Sequence, residues 1–495
     1  MLGQIIPFPQ ELRPQLPTIV GNVDYLILRQ RLEQIDALLR DSGVEQEFVR
    51  RALAGWNVAA AREATALEQL KFQQRSRRAL RCTLLRTLLQ EDYRGFSCQL
   101  AGNPLYQWFC LVAALDQVRV PSKSELQRFA HWLPAEEMRA VIDGLLKGAV
   151  AQPRKLGLKE ALDVEEYFLD STCLKANIHF PTDWVLLRDG VRTLMKATRL
   201  IRKGGLRGRM QPPEEFLRRM NRLSLQMTQQ ARRSGSKKGR KRVLRQMKQL
   251  VGVVRAHARR HRELLDQQWE QTEWTRGQTE QILRRLDGVL ELLPRAQKQA
   301  HERIIGGRPV ANAEKILSLY DPAVRVIVRG KAGAEVEFGN TVLFGENRQG
   351  IILDYEIFRE SAPADSQTLF GSLVRVWEGT GCCVDAVATD RGFASAANSR
   401  ALTDSGTFDA LCPRSPTELR RRMKSHKFAR LQRRRAQTEA RIGILKQGFL
   451  GRPMRAKGFA HRELALAWGV LTHNLWMLAR MRKIKKKTVA LQKAA

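Results

Sequence analysis

V-R-V-I-V (324–328), V-E-F-G-N-T-V-L-F (336–344) and G-I-I-L-D-Y-E-I-F (350–358) repeat β-branched and aromatic residues at a period of two. At that spacing alternate side chains fall on opposite faces of a strand. Asn347-Arg348-Gln349-Gly350, between the last two runs, has turn chemistry, so these runs read as a hairpin. Upstream, residues 165–174 are also dense in strand formers (Tyr167, Phe168, Thr172) and, past Glu165 and Glu166 at the start, carry one acid, Asp170, amid the run. Downstream, a helix over 366–378 precedes the strand C-C-V-D-A-V-A-T-D (382–390), which ends on Asp390, and a short strand follows at 407–411. Strands at about 165–174, 324–358, 383–389 and 407–412, with helices around them, predict an α/β core: a mixed sheet with flanking helices.

The rest of the chain has helical periodicity. Residues 1–155 read as an all-α N-terminal domain, with apolar residues at helical spacing over 24–39 and 80–89. Within it Ser122 and Glu125 have the spacing of a capping box, predicting a short helix that stops before Pro134 and another over 135–147. Such a pair has the outline of a helix-turn-helix that reads DNA, and equally of two helices packed on their predecessor. No residue in it is marked as reading bases. The core is expected in two pieces, 160–185 and 305–450, interrupted by a long basic helical insertion at 186–304. Residues 451–495 form a C-terminal helix and basic tail.

Charge narrows the partners. The 495 residues are 43% hydrophobic, as a globular protein requires, yet 86 Lys and Arg face 50 Asp and Glu, a formal net charge of +36. Such an excess repels itself unless a polyanion neutralises it, so nucleic acid or an anionic membrane surface is the expected partner. Between residues 188 and 303 there are 30 basic and 11 acidic residues, more than half of that excess. R-R-S-G-S-K-K-G-R-K-R (232–242) is the densest patch, with Arg232, Arg233, Lys237, Lys238, Arg240, Lys241 and Arg242. With residues 414–435 and the tail R-K-I-K-K-K (482–487), it suits phosphate-backbone contacts that release counterions; a solvated charged face is the alternative for each. Trp269 and Trp274 in the insertion suit either stacking on an unpaired base or packing between helices, packing being the commoner use. No secretory signal is expected in residues 1–17. Residues 464–481, the most apolar late stretch, are too short and too polar to span a bilayer, so no membrane partner is expected. The seven cysteines form no C-x-x-C pair and are expected to be reduced thiols without zinc.

Three acids stand where an acid is costly or awkward. Asp170 lies inside an apolar strand, Asp390 ends one just before Arg391-Gly392-Phe393, and Glu439 lies on an otherwise basic helix. Carboxylates from separate elements meeting at one end of a sheet are what it takes to hold a pair of hard divalent ions for phosphoryl transfer. On a continuous helix Arg435, Glu439 and Lys446 fall within about 40° of one another, which sets a guanidinium and an ammonium beside the carboxylate. Taken alone, that spacing is more commonly an ordinary salt-bridged face. Asp163, Asp183 and Asp189 flank the first strand as candidate loop acids, with Asp183 at best orienting the site. Asp385 is mid-strand, and Glu335 and Glu337 alternate on a strand face.

L-D-S-T-C-L-K-A-N-I-H-F-P-T-D (169–183), R-G-K-A-G-A-E-V-E-F-G (329–339), A-T-D-R-G-F (388–393) and Q-T-E-A-R-I-G-I-L-K (437–446) together resemble, in that order, the blocks of insertion-sequence transposases with a DDE triad, in particular an ISNCY-like group. The resemblance spans about 160–480, including A-L-A-W-G-V-L-T-H-N-L (465–475), and N-P-L-Y-Q-W-F and P-S-K-S-E-L-Q-R-F look like the helices that precede such catalytic domains. It implies an RNase H-like fold, with Asp170, Asp390 and Glu439 as catalytic acids holding two Mg²⁺ (or Mn²⁺) ions. The implied partners are the element's terminal inverted repeats and target DNA, bound by a homodimer or larger assembly in the bacterial cytoplasm at the nucleoid. The related signature Y-x₂-R-x₃-E-x₆-K places its Arg, Glu and Lys on Arg435, Glu439 and Lys446, which with Arg391 and the 232–242 cations are the expected DNA contacts; its Tyr position is Gln432. The insertion accounts for the long gap between the two aspartates. Rival readings are an inactive transposase-derived DNA-binding protein, a nuclease that cuts without joining, and a basic structural protein, which leaves the three acids unexplained.

Overall fold

The computed structural model describes residues 13–59, 64–114, 116–233, 235–331 and 334–483. The predicted runs become the strands β1 (Glu166–Lys175), β2 (Arg325–Lys331), β3 (Ala334–Asn347), β4 (Ile352–Ile357), β5 (Ala386–Thr389) and β6 (Phe408–Leu411) in one mixed sheet. β1 is central, with β3 antiparallel on one side and β5, then β6, parallel on the other. The long β3 pairs antiparallel with β2 at its start and with β4 at its end. Gly350, at φ +83°, closes the β3–β4 turn, where Asn347 accepts the Ile351 amide at 2.8 Å.

The N-terminal helices are α1 (Val23–Asp41), α2 (Val44–Ala59), α3 (Ala66–Leu89), α4 (Tyr93–Gly102), α5 (Pro104–Phe109), α6 (Lys123–Phe129) and α7 (Ala135–Ala151). The insertion holds α8 (Asp183–Lys203), α9 (Pro213–Arg232), α10 (Lys237–Gln268) and α11 (Arg276–Ala300). Beyond β4 come α12 (Asp365–Thr380), α13 (Ala396–Asp404), α14 (Pro416–Arg422), α15 (His426–Arg435), α16 (Thr438–Leu445) and α17 (Phe459–Met481).

The strand period sorts β1 into two faces. Tyr167 and Leu169 enter a large core shared with α12, α17 and the N-terminal helices. Phe168 lies on the other face, in a small cluster with Ala386, Ala388 and Ala410 of β5 and β6 and with Phe428 and Leu431 of α15. Those alanines let α15 lie close to the sheet, on the face that also carries Asp170.

The division at 155 and at 451 is not a division of the core. One continuous hydrophobic cluster runs from α1 through the sheet to α17, because α7 packs on α2, α12 and α17. The exposed residues of α7, Glu136, Gly144, Lys147 and Ala151, fall on one side of the helix, and the rest of it packs. Ser122 caps α6 as expected, accepting the Glu125 amide at 3.2 Å, while the Glu125 carboxylate turns to Arg75. α17 is pinned on β4 by Asn474, whose side chain accepts from the Ile352 amide and donates to its carbonyl. No described helix is long and apolar enough to cross a membrane.

The insertion has its own core, built from one face each of α8 to α11. It begins at Asp183, three residues before the expected boundary, and ends in a π-helical turn, His301–Gly306. Asp183 is buried, with Arg303 at 2.9 and 3.0 Å and the Gln299 amide at 2.9 Å. This acid latches the first residue of the insertion to its last helix and does not orient the catalytic candidates.

A second buried acid ties the N-terminal helices to the sheet. The Tyr167 hydroxyl donates to Ser372 at 2.6 Å and Ser372 donates to Asp354 at 2.6 Å; Arg375 and Arg139 of α7 both donate to Asp354. Tyr167 reaches across β3 only because residue 345 is glycine: a β-carbon there would lie 1.6 Å from its hydroxyl oxygen. Breaking a buried ion cluster by removing one partner leaves uncompensated charge, at about 3–5 kcal/mol. Asp354→Ala is therefore expected to lower unfolding stability by about that amount in urea titration; a variant with an unchanged urea midpoint would show that the cluster holds nothing together.

Candidate active site

Register brings the first two acids together. Leu169 of β1 pairs with Thr389 of β5, so the next residues, Asp170 and Asp390, stand level on neighbouring parallel strands where β5 ends. The chain leaves β5 through a turn in which the Asp390 carboxylate accepts the Gly392 amide at 2.9 Å. A β-carbon at Gly392 would lie 2.7 Å from Asp365 Oδ2 and 3.1 Å from Asp390 Oδ1, so glycine is what lets two carboxylates approach the backbone there.

The third acid, Glu439, is the second residue of α16, and its side chain is more than half exposed. Arg435, the last residue of α15, stands among all three. Its Nη2 is 3.7 Å from Asp170, 3.8 Å from Asp390 and 3.9 Å from Glu439. No two of these oxygens can therefore lie farther apart than twice that radius. The expectation that the three acids and Arg435 meet at one place is met.

The expected continuous helix is not. α15 ends at Arg435 and α16 begins at Thr438; residues 436 and 437 keep helical dihedrals, but the Gln437 amide bonds to Arg434 three residues back. The break has a physical cause in Glu346, a buried acid of β3. Arg434 donates to it at 3.0 Å from one side of the break and the Thr438 hydroxyl at 2.9 Å from the other. Burial pushes the Glu346 carboxyl up, against the pull of Arg434. The Arg434 guanidinium also lies 4.5 Å over the Phe168 ring, fixing α15 to β1.

Lys446 and Gln432 complete the frame. Lys446 Nζ donates to the Thr172 hydroxyl at 3.0 Å and to the Cys173 carbonyl at 2.7 Å, so it grips β1 just beyond Asp170. Gln432, at the tyrosine position of the signature, donates to the carbonyls of Thr389 at 3.2 Å and Ala410 at 2.5 Å, which clamps the ends of β5 and β6 together.

The electrostatics follow from this crowding. Asp170 is pushed up to about 6, first by burial; Arg435 opposes the rise, and the charges of Asp390 and Glu439 add to it. Asp365, the first residue of α12, is also raised, by burial and then, against the bond from Ser171, by Asp390. Asp365 is the acid that sequence reasoning missed. An aspartate opening a helix is ordinary there, and nothing local marks it as a neighbour of Asp390.

The donor chemistry suits hard divalent ions: carboxylate oxygens only, from three separate elements, already gathered round a cation. Among the described residues no three His, Cys, Asp or Glu side chains stand close enough to hold a metal ion as they are. The acids surround the guanidinium at a radius far larger than the ~2.1 Å of a magnesium–oxygen bond. Asp170, Asp390 and Glu439 are the residues that could supply such ligands, and Arg435 occupies the space among them.

The expected DNA contacts separate into two groups. Arg391 is exposed in the turn beside Asp390. Arg232 and Arg233 end α9, and Lys237, Lys238, Arg240, Lys241 and Arg242 open α10, on helices that pack with α8 and α11 and not on the sheet. The structure does not bring this patch into contact with the acids. The first turn of α10 carries cations where the helix dipole favours anions, a conflict that a bound polyanion would relieve. In the basic tail Arg482 pairs with Asp41 at 3.0 Å, and residues 484–487 lie outside the described residues. Trp269 and Trp274 pack against the insertion core.

Comparison with family models, curated proteins and solved structures finds no match for this chain.

The raised Asp170 has a consequence for stability. An acid whose folded value lies above its unfolded one makes the folded state lose stability as pH rises between the two, from about 4 to about 6. In metal-free buffer Asp170→Asn is therefore expected to be more stable than the parent at pH 7, by about 2–3 kcal/mol, and to show no gain at pH 4. Equal urea midpoints at pH 7 would mean that Asp170 is not held in this crowded environment.

Proposed function

We propose that this chain is a DDE transposase with an RNase H-like core, cutting DNA at the ends of an insertion sequence and joining them to target DNA. The observation that carries the reading is the convergence of Asp170, Asp390 and Glu439 on the single guanidinium of Arg435. The acid-bearing strands β1 and β5 run parallel, and their acids meet where β5 ends. In α/β sheets such a crevice outside the carboxyl ends of strands is the usual place for a ligand.

Two bound Mg²⁺ or Mn²⁺ ions would activate the attacking oxygen and stabilise the leaving one. The protein's own residues do the rest. Asp170 must be deprotonated to bind metal, so activity should rise as pH passes its raised value. Lys446 and Gln432 hold the two acid-bearing strands in place. Arg435 and Arg391, beside the acids, are positioned to meet phosphate, and the α9–α10 patch binds backbone at a distance. The nucleophile is water in end cleavage and the freed 3′-OH in joining. Holding two element ends calls for a dimer or larger assembly, at the nucleoid of a bacterial cytoplasm.

With labelled DNA carrying the element ends, Asp170→Asn, Asp390→Asn and Glu439→Gln should each reduce Mg²⁺-dependent cleavage by about a hundredfold or more, with DNA binding retained. Cleavage by any one variant at the parent rate removes that residue from the site. Cleavage by the parent without any joined product would favour a nuclease.

A further inference from the structure

The salt bridges of this chain are mostly close. Arg434 meets Glu346 at 3.0 Å, Arg303 meets Asp183 at 2.9 Å and Arg375 meets Asp354 at 2.9 Å. Arg435 differs. It stands nearly equidistant from three carboxylates, at 3.7, 3.8 and 3.9 Å, beyond hydrogen-bond reach of each of these oxygens. Its Nε is buried with no hydrogen-bond partner. This is a cation held by the summed field of three acids and not by directed bonds to them.

Its place in the backbone adds to this. Arg435 is the last residue of α15, directly before the two-residue break that precedes Glu439. Its neighbour Arg434 carries the anchoring, through Glu346 and the Phe168 ring. The arginine that fixes α15 to the sheet is thus a different one from the arginine among the acids.

We propose that Arg435 is an internal counter-ion that occupies the cation position of the metal-free site and is exchanged for the divalent ions, its guanidinium then being released toward the phosphate bound there. The inference rests on the metal-dependent reading above. With one positive charge among three carboxylates the acids stay assembled without metal, yet the pocket remains net negative and attractive to a dication. Metal entry then competes with the guanidinium, and DNA phosphate, by drawing the guanidinium off, makes that entry easier. Metal loading is thereby coupled to substrate, which restrains cleavage when no end is bound.

The test is Mn²⁺ binding to the full chain without DNA at pH 8, followed by electron paramagnetic resonance and calorimetry. Arg435→Gln should bind Mn²⁺ about tenfold more tightly than the parent, and Arg435→Lys, which keeps a cation, should stay close to it. Arg435→Met serves as a second neutral variant if the glutamine variant folds poorly by circular dichroism. Neutral variants that bind Mn²⁺ no more tightly than the parent overturn the counter-ion role. Asp170→Asn separates this from failure of the reading beneath it: if it leaves Mn²⁺ binding by the parent unchanged, the metal site itself is wrong.

Discussion

Carboxylates from distant parts of a chain gather in one pocket only at an electrostatic cost, which a positive charge among them offsets. Here Asp170, Asp390 and Glu439 come from the central strand, the end of its parallel neighbour and a helix some fifty residues farther on, and the shared charge is Arg435. Two like charges brought within a few ångströms in a partly dry site repel by several kcal/mol, about 4 at an effective dielectric of 20. The crowding is visible in Asp170, whose carboxyl is driven up to about 6 even with the guanidinium beside it. Such an arrangement is costly to the fold, and perturbed carboxyls of this kind cluster at functional sites, which is what motivates the catalytic proposal.

The surrounding structure holds that costly arrangement in place. β1 sits between partners on both sides, so Asp170 cannot shift without breaking the sheet register. Lys446 fastens the strand beyond it, Gln432 fastens the ends of β5 and β6, and Glu346 pins the two helix ends that carry Arg435 and Glu439. Behind the sheet, the Tyr167–Ser372–Asp354 chain joins α7 and α12 to the same strands. The insertion, with its separate core and its Asp183 latch, leaves the sheet after β1 and returns before β2 without disturbing that geometry.

Much of this was legible in the sequence because it is local. The period of two, the Asn347–Gly350 turn and the apolar run around Asp170 each predict their own structure, and the strands lie where they were expected. The three acids were legible because each breaks its local pattern. What escaped depends on distant partners. The break at residues 436 and 437 is made by Glu346, about ninety residues upstream, while the backbone there keeps helical dihedrals and no helix-breaking residue marks it. Asp365 looks like an ordinary helix-opening aspartate until Gly392 brings it to Asp390. Asp183 reads as a second-rank site acid; its tertiary contacts gave it structural work instead.

Whether these three acids share divalent ions, as proposed, is measured most directly by anomalous scattering from crystals grown at pH 8 and soaked in Mn²⁺. Manganese peaks bounded by Asp170, Asp390 and Glu439, with the Arg435 guanidinium displaced from among them, are the expected result. Crystals in which manganese binds elsewhere, or in which the guanidinium keeps its place at saturating metal, would contradict it.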